Sequence, residues 1–298
     1  MKRLKPFSYF EPPNIKEAIR ILAEQGSQAC PLAGGTDLLV RMKRGEITPI
    51  ALVNLKRISG LAQIKKESGK TISIGALTSI SAIENSPLIR SSYPVLAEAA
   101  GVLGSRSIRN LGTLGGNIGR ASPASDMAPA LIVLQARVVM EGLHGMREVE
   151  IEKFFVGPGS TILSPGNLIT SFFLTERAPH SAAVYLKLGR REGFDCALAG
   201  VAVLITRLAN KNEAREARVA LAAVAPVPLR AKKTEQVLLS GTLDEDRIKE
   251  AARVAAEESS PISDMRASGS YRREMVRVLT FRAVSKALRL AERGDRGS

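Results

Sequence analysis

The sequence predicts an α+β fold. Strand-like apolar runs come in groups and helical patterns come in groups, without the strict alternation a parallel doubly wound sheet would show. A chain of 298 residues can bury a substantial core and supply two or three domains. Its 45% hydrophobic and 24% charged content is that of an ordinary soluble globular protein.

The elements follow in order. Residues 7–13, ending in Pro12-Pro13, form an extended entry with a stop. Asn14 caps a helix, with Glu17 three residues later to complete a capping-box pattern. Ile15, Ala18, Ile19 and Leu22 give that helix one apolar face, and it ends near Gly26. A short buried strand is expected at 29–32, a helical segment at 38–43 and another strand at 51–55, which together make a small strand–helix–strand unit. Strands around 63–65 and 71–74 come next, then a capping site at Leu77-Thr78-Ser79 and helices at 80–84 and 94–100. A second glycine loop occupies 112–117, followed by a helix at 126–135 and a strand at 137–141; the segments 151–155 and 168–174 close this stretch. Alternating strands at 183–188, 197–207 and 217–224 suggest an antiparallel sheet, broken by Ala225-Pro226-Val227-Pro228. Helices at 234–239, 244–257 and 271–293 finish the chain, the last with Val276, Leu279, Ala283, Ala287 and Leu290 on one face.

Composition excludes several function classes. The longest apolar run, 196–206, is about half of the roughly 18–20 residues a membrane helix needs. Met1 to Pro6 has charge but no apolar region behind it, so no signal peptide is expected and the cytoplasm is the expected location. Cys30 and Cys196 are too few for an iron–sulfur cluster, and a disulfide between them is disfavoured in that compartment. Neither His144, in an expected turn, nor His180 sits in a metal-ligand pattern. A redox centre held by this chain alone must therefore be an organic cofactor.

Net charge is +14. Residues 1–57 carry ten basic and five acidic side chains, residues 58–177 eleven and nine, and the remainder twenty-two and fifteen. The excess lies at the two ends, which suits a polyanionic ligand, an acidic partner or a solvated basic surface. Aromatics at 4% and the absence of a stacking motif argue against the alternative of a nucleic-acid-binding protein. The tripeptide within Arg293-Gly294-Asp295-Arg296 is read as coincidence in a tail.

The chemistry lies in two double-glycine motifs. Ala33-Gly34-Gly35-Thr36-Asp37, with Leu32 before it and Leu38 after, sits between a strand and a helix. Adjacent glycines let backbone N–H groups converge into an anion-binding concavity. Thr36 adds a hydroxyl; Asp37, which would repel phosphate, is expected to cap the helix that follows. Thr113-Leu114-Gly115-Gly116-Asn117 repeats the recipe with a hydroxyl and an amide. Neither fits the dinucleotide fingerprint or the Walker pattern, so a diphosphate gripped by two separate loops is the reading they support.

Their surroundings carry a resemblance. The strings at 31–39 and 107–118, the latter including Asn110, closely resemble the two pyrophosphate motifs of the FAD-binding medium subunits of the xanthine dehydrogenase and carbon monoxide dehydrogenase family of molybdenum hydroxylases. Ala121-Ser122-Pro123-Ala124-Ser125-Asp126, the segment 189–195 after Lys187, and the segment 271–279 are similar to further signatures of that family, in the same order. The resemblance implies a vanillyl-alcohol-oxidase (PCMH-type) fold: FAD-binding subdomains at 1–57 and 58–177, and a C-terminal domain at 178–298 with a three-stranded antiparallel sheet. It implies that 33–37 and 113–117 hold the FAD pyrophosphate, that Ser122 and Asp126 approach ribityl or ribose hydroxyls, and that Ile169 and Lys187 lie near the isoalloxazine, where a lysine favours negative charge on the reduced ring. Other roles stay open: Asp126 as a helix N-cap, Lys187 as a solvent-facing strand residue, and Arg190 and Arg191 in surface or intersubunit salt bridges.

The family's pattern also implies partners: a large molybdopterin subunit and a small subunit with two [2Fe-2S] clusters, assembled as a dimer of heterotrimers, with this chain passing electrons to an external acceptor. A stand-alone FAD oxidoreductase of the same fold is the alternative, and the short C-terminal domain argues against the substrate cap it would need. Where several relatives place an aromatic residue against the flavin, this sequence has Cys196, expected to be a small buried side chain. Two cysteines also exclude the cluster-bearing insertion of the hydroxybenzoyl-CoA-reducing branch.

Overall fold

The computed structural model describes residues 4–191, 195–208 and 212–295, the last three by their backbone alone. The chain begins with a three-stranded parallel sheet ordered Ser8–Phe10, Ala51–Asn54, Ala29–Leu32. The central strand Ala51–Asn54 is buried throughout, whereas Ala29–Leu32 is an edge strand in which only Leu32 is buried, not the buried strand its apolar residues suggest. Helix Ile15–Gln25 starts where Asn14 Oδ1 accepts the Glu17 N–H at 3.0 Å. The Glu17 carboxylate does not complete the box; it turns outward to Arg20. Ala18, Ile19 and Leu22, joined by Ile21, make the buried stripe.

A five-stranded antiparallel sheet follows, ordered Ile64–Lys66, Thr71–Gly75, Leu168–Thr175, Arg137–Gly142, Gly145–Glu150. His144 is exposed in the tight turn between the last two of these strands. Ser79 caps helix Ile80–Asn85, and the helices Pro94–Gly101 and Met127–Val133 bury against the sheet. Three short helices have no counterpart in the sequence reading: Pro87–Ser92, Arg106–Leu111 and Leu114–Gly119. At six residues each they are too short to show a periodic stripe.

The C-terminal sheet is antiparallel, ordered Ser181–Leu188, Ala199–Arg207, Ala214–Ala222, with the two-residue strand Leu229–Arg230 added beyond the three long strands that were expected. Ala199–Arg207 is buried along almost its whole length, which explains its continuous apolar run. One face of this sheet, with Ala183, Tyr185, Ala202, Leu204 and Ala220, completes the core beneath the five-stranded sheet. The other face, with Val184, Val201, Val203 and Leu221, packs on the helices Lys232–Leu239, Glu245–Glu258 and Gly269–Asp295. Val276, Leu279, Ala283 and Ala287 face that core; Leu290, expected with them, is 40% exposed, because the buried stripe moves round the helix to Val284, Leu288 and Ala291.

Candidate functional site

The two glycine motifs meet. A Cβ built on Gly34 would stand 2.0 Å from the Leu111 carbonyl oxygen and 3.0 Å from Gly112 Cα, so the first loop presses its backbone onto the entry to the second motif. Thr36 Oγ1 faces Gly112, and Ala33 Cβ faces Gly116. Gly35 takes φ +73°, a conformation that side chains disfavour, and turns the chain into helix Leu38–Arg44.

The motifs differ in what they leave available. Among the described residues, the backbone N–H groups of Gly34, Gly35, Thr36, Asp37 and Leu38 have no protein acceptor. Five successive unpaired donors beside a close backbone approach form an anion cradle. The second motif is not the open loop the sequence suggests, because its glycines lie in helix Leu114–Gly119. There the N–H of Leu114 donates to Thr78 O (3.0 Å), that of Gly115 to Ala76 O (2.8 Å) and that of Asn117 to Thr113 O (2.9 Å). The Gly116 N–H donates to the capping hydroxyl of Thr113 at 3.1 Å. Gly115 serves proximity here: its Cβ would lie 2.7 Å from Ala76 Cβ. What this motif can offer a ligand is therefore the Thr113 hydroxyl proton and the Asn117 side-chain NH2. The Asn117 Oδ1 is fixed by the Ser125 hydroxyl at 2.6 Å.

Asp37 does not cap its helix. Its carboxylate stands 2.9 Å from Arg120 Nε and 3.9 Å from Arg41 Nη1, tying the first loop to the end of helix Leu114–Gly119. The Arg120 contact is an attraction of charges without hydrogen-bond alignment, since its buried Nε has no acceptor in line. Leu32, Leu38 and Leu114 point into cores; Leu38 can offer its backbone N–H, whereas that of Leu114 is taken. Asn110 is exposed on helix Arg106–Leu111. Ile169, 8% exposed, lies against Gly119 next to a register shift in its strand.

Beyond Ser125, which caps helix Met127–Val133 by accepting from the Ala128 N–H, comes Asp126. It is not a cap; it is 5% exposed and accepts from the Tyr185 hydroxyl and the Lys187 Nζ, each at 2.8 Å. Burial pushes the Asp126 carboxyl above its ordinary range, and the Lys187 charge and the two hydrogen bonds oppose that. Tyr185 is pushed well up, first by burial and then by the Asp126 charge. Lys187 is not solvent-facing: it also donates to Val102 O at 3.0 Å. Breaking such a buried pair from one side costs about 3–5 kcal/mol. Ser122 Oγ accepts from the Ala124 N–H at 3.3 Å, which holds the turn between Asn117 and Asp126.

Arg190 is in a surface contact with Asp195, 3.6 Å apart. Cys196 is exposed rather than buried, since burial begins one residue later at Ala197; it and Cys30 are both free thiols. Residues 192–194 of the segment 189–195, and Arg296, which follows the terminal tripeptide, lie outside the described residues. A cleft of about 640 Å³ opens elsewhere, between the five-stranded and C-terminal sheets, and is lined by Arg137, Arg177, Arg218 and Arg230. Those side chains are engaged by glutamates and backbone carbonyls, and no candidate site residue lines that cleft. No group of metal-ligating side chains and no helix long and apolar enough to cross a membrane occurs among the described residues.

Sequence reasoning missed Tyr185, Ser125, Arg120 and Glu98. Tyr185 was within reach, since on an alternating strand it shares a face with Lys187 two residues later.

Residues 5–175 match the model of the FAD-binding domain in molybdopterin dehydrogenase, and residues 184–287 match that of the CO dehydrogenase flavoprotein C-terminal domain. The chain belongs to the FAD-binding medium subunits of the molybdenum hydroxylase family. It is 35% identical over 277 residues to the glyceraldehyde dehydrogenase medium chain of Sulfolobus acidocaldarius, covering 93% of this chain and 96% of that one. It is 34% identical over 281 residues to the carbon monoxide dehydrogenase medium chain of Hydrogenophaga pseudoflava, covering 94% and 96%. A chain of the carbon monoxide dehydrogenase of Hydrogenophaga pseudoflava lacking the Mo-pyranopterin moiety superposes with a TM-score of 0.92 at 33% identity, over 96% of this chain and 98% of that chain. The cofactor of this family's domain is FAD, and the run of unpaired donors at Gly34–Leu38 fits its pyrophosphate.

Proposed function

We propose that this medium subunit is the flavin station of a molybdenum hydroxylase, with residues 1–57 and 58–177 clasping FAD and 178–298 forming the C-terminal domain. The observation that carries the reading is the row of unpaired N–H groups from Gly34 to Leu38, held against the second motif. These groups, with Ala33, the Thr36 hydroxyl, the Thr113 hydroxyl and the Asn117 amide, would grip the pyrophosphate; Leu32 would contribute backbone, and Leu114, Gly115 and Gly116, whose N–H groups are already used, would form the wall beside it. Asn110 would border the same groove. Ser122 and Asp126 would face sugar or ribityl hydroxyls; two of the lone-pair positions of the Asp126 carboxylate are taken, and others remain. Ile169 and Lys187 would border the isoalloxazine.

Bound there, the flavin supplies exchange of electrons between iron–sulfur clusters and an external acceptor. The protein groups bind, orient and set the local charge. The partners would be a large subunit carrying molybdenum–pterin and a small subunit carrying two [2Fe-2S] clusters, in a dimer of heterotrimers. That relatives among dehydrogenases are medium chains supports a larger and a smaller partner. The test is purification with and without the co-expressed partners, followed by a visible spectrum. The expected result is a flavin spectrum that the isolated chain recovers when FAD is added. Absence of bound flavin, measured by its release and fluorescence after reconstitution with FAD and both partners, would sink the reading.

A further inference from the structure

The Asp126–Lys187 pair is built from two domains' worth of chain, and a third side chain holds it. Tyr185 and Lys187 point from the same face of strand Ser181–Leu188, which is the edge of its sheet. The Tyr185 N–H, on the open edge, is taken by Glu98 Oε2 at 3.1 Å, and Lys286 sits 3.2 Å from the other Glu98 oxygen. That edge is thereby fixed to helix Pro94–Gly101. The Tyr185 ring lies across the neighbouring strand, over Gly200, which pairs with Lys187. A Cβ on Gly200 would stand 2.6 Å from the Tyr185 hydroxyl oxygen and 3.3 Å from ring carbons. The absence of a side chain at this one strand position is what lets the hydroxyl reach Asp126 Oδ1 at 2.8 Å.

We propose that Tyr185 is a positioning residue for the flavin-facing charge pair, and that Gly200 is the residue that permits it: the hydroxyl holds one oxygen of Asp126 so that the other fixes the Lys187 ammonium beside the cofactor. This rests on the reading that Lys187 borders the isoalloxazine. Asp126 is buried and has two side-chain donors, Tyr185 and Lys187. Removing the hydroxyl leaves one oxygen without its donor in a dry site, so the carboxyl takes up a proton more readily. The Lys187 ammonium then acts on the ring without its counter-charge, and reduction of the flavin becomes easier.

The test is the flavin midpoint potential of the intact complex in four variants, with thermal stability recorded alongside. Tyr185→Phe keeps the ring and removes only the hydroxyl; Gly200→Ala keeps the hydroxyl and displaces it. Both are expected to raise the potential in the same direction, changing the reduced-to-oxidised ratio at fixed poise about tenfold, which is about 30 mV for a two-electron couple. Lys187→Met is expected to lower it. Tyr93→Phe removes another buried hydroxyl, which donates to Leu174 O at 3.2 Å, and is expected to affect stability alone. If Lys187→Met shifts the potential while Tyr185→Phe and Gly200→Ala do not, the positioning role is overturned and the placement of Lys187 stands. If Lys187→Met leaves the potential unmoved, the placement itself fails and this inference with it. A shift in Tyr93→Phe equal to that in Tyr185→Phe would reduce the effect to general loosening and overturn the proposal.

Discussion

The two glycine motifs look alike as strings and behave differently as structure. In the first, Gly34 and Gly35 turn the chain so that the N–H groups through Leu38 find no partner among the described residues. In the second, the N–H groups of Leu114 to Asn117 are all used, by Thr78, Ala76 and Thr113. One motif leaves its donors open to a ligand; the other uses them on Thr78, Ala76 and its own cap and offers a fixed wall. A pair of glycines thus signals where backbone can approach, and the fate of the N–H groups decides whether an anion is held by main chain or by side chains.

The difference can be broken most directly by amide hydrogen exchange. Without FAD, the amides of 34–38 are expected to exchange quickly and those of 114–117 slowly. With FAD at a hundred times its dissociation constant, the first set should slow on the order of a hundredfold while the second changes little. Equal protection of both sets before FAD is added would erase the distinction. Next in size is Gly34→Val, whose Cβ would meet the Leu111 carbonyl oxygen at 2.0 Å. It is expected to abolish FAD binding in a fluorescence titration and to cost about 3 kcal/mol in denaturant unfolding. Gly115→Ala presses on Ala76 instead, and should cost about 2 kcal/mol of stability with FAD affinity falling only as far as the helix shifts. Thr113→Val removes a helix cap and should cost about 1 kcal/mol by thermal melting. The smallest effect is expected from Asp37→Asn, whose partly exposed ion pair with Arg120 should contribute less than about 1 kcal/mol and fade as salt is raised.

Much of this was legible in the sequence, and the gaps have physical causes. Helix Ile15–Gln25 was readable because its cap and stripe are local, and the strands Ala199–Arg207 and Ala214–Ala222 because their apolar patterns are long. The first glycine motif was readable as a donor cradle from its residue types. Helix Leu114–Gly119 was not, since two glycines argue against a helix and the contacts that stabilise it come from Thr78 and Ala76, far back in the chain. Asp37 was misjudged for a similar reason: its partner Arg120 is distant in sequence. The Tyr185–Asp126–Lys187 group depends on two segments meeting about sixty residues apart, as the separations of 59 and 61 residues record. No single-strand pattern announces the carboxylate of Glu98 at an edge N–H.

The C-terminal sheet gives one face to the core beneath the five-stranded sheet and the other to its own helices. During synthesis, the N-terminal part therefore emerges with an apolar surface that nothing yet covers. It can close only after Tyr185, Ala202 and Ala220 have left the ribosome. A nascent chain halted before that point would present this surface to chaperones or to other unfinished chains. A flavin held as proposed beside Asp126 and Lys187, whose hydrogen bond joins the two sides of that seam, would then be loaded late, onto a finished polypeptide.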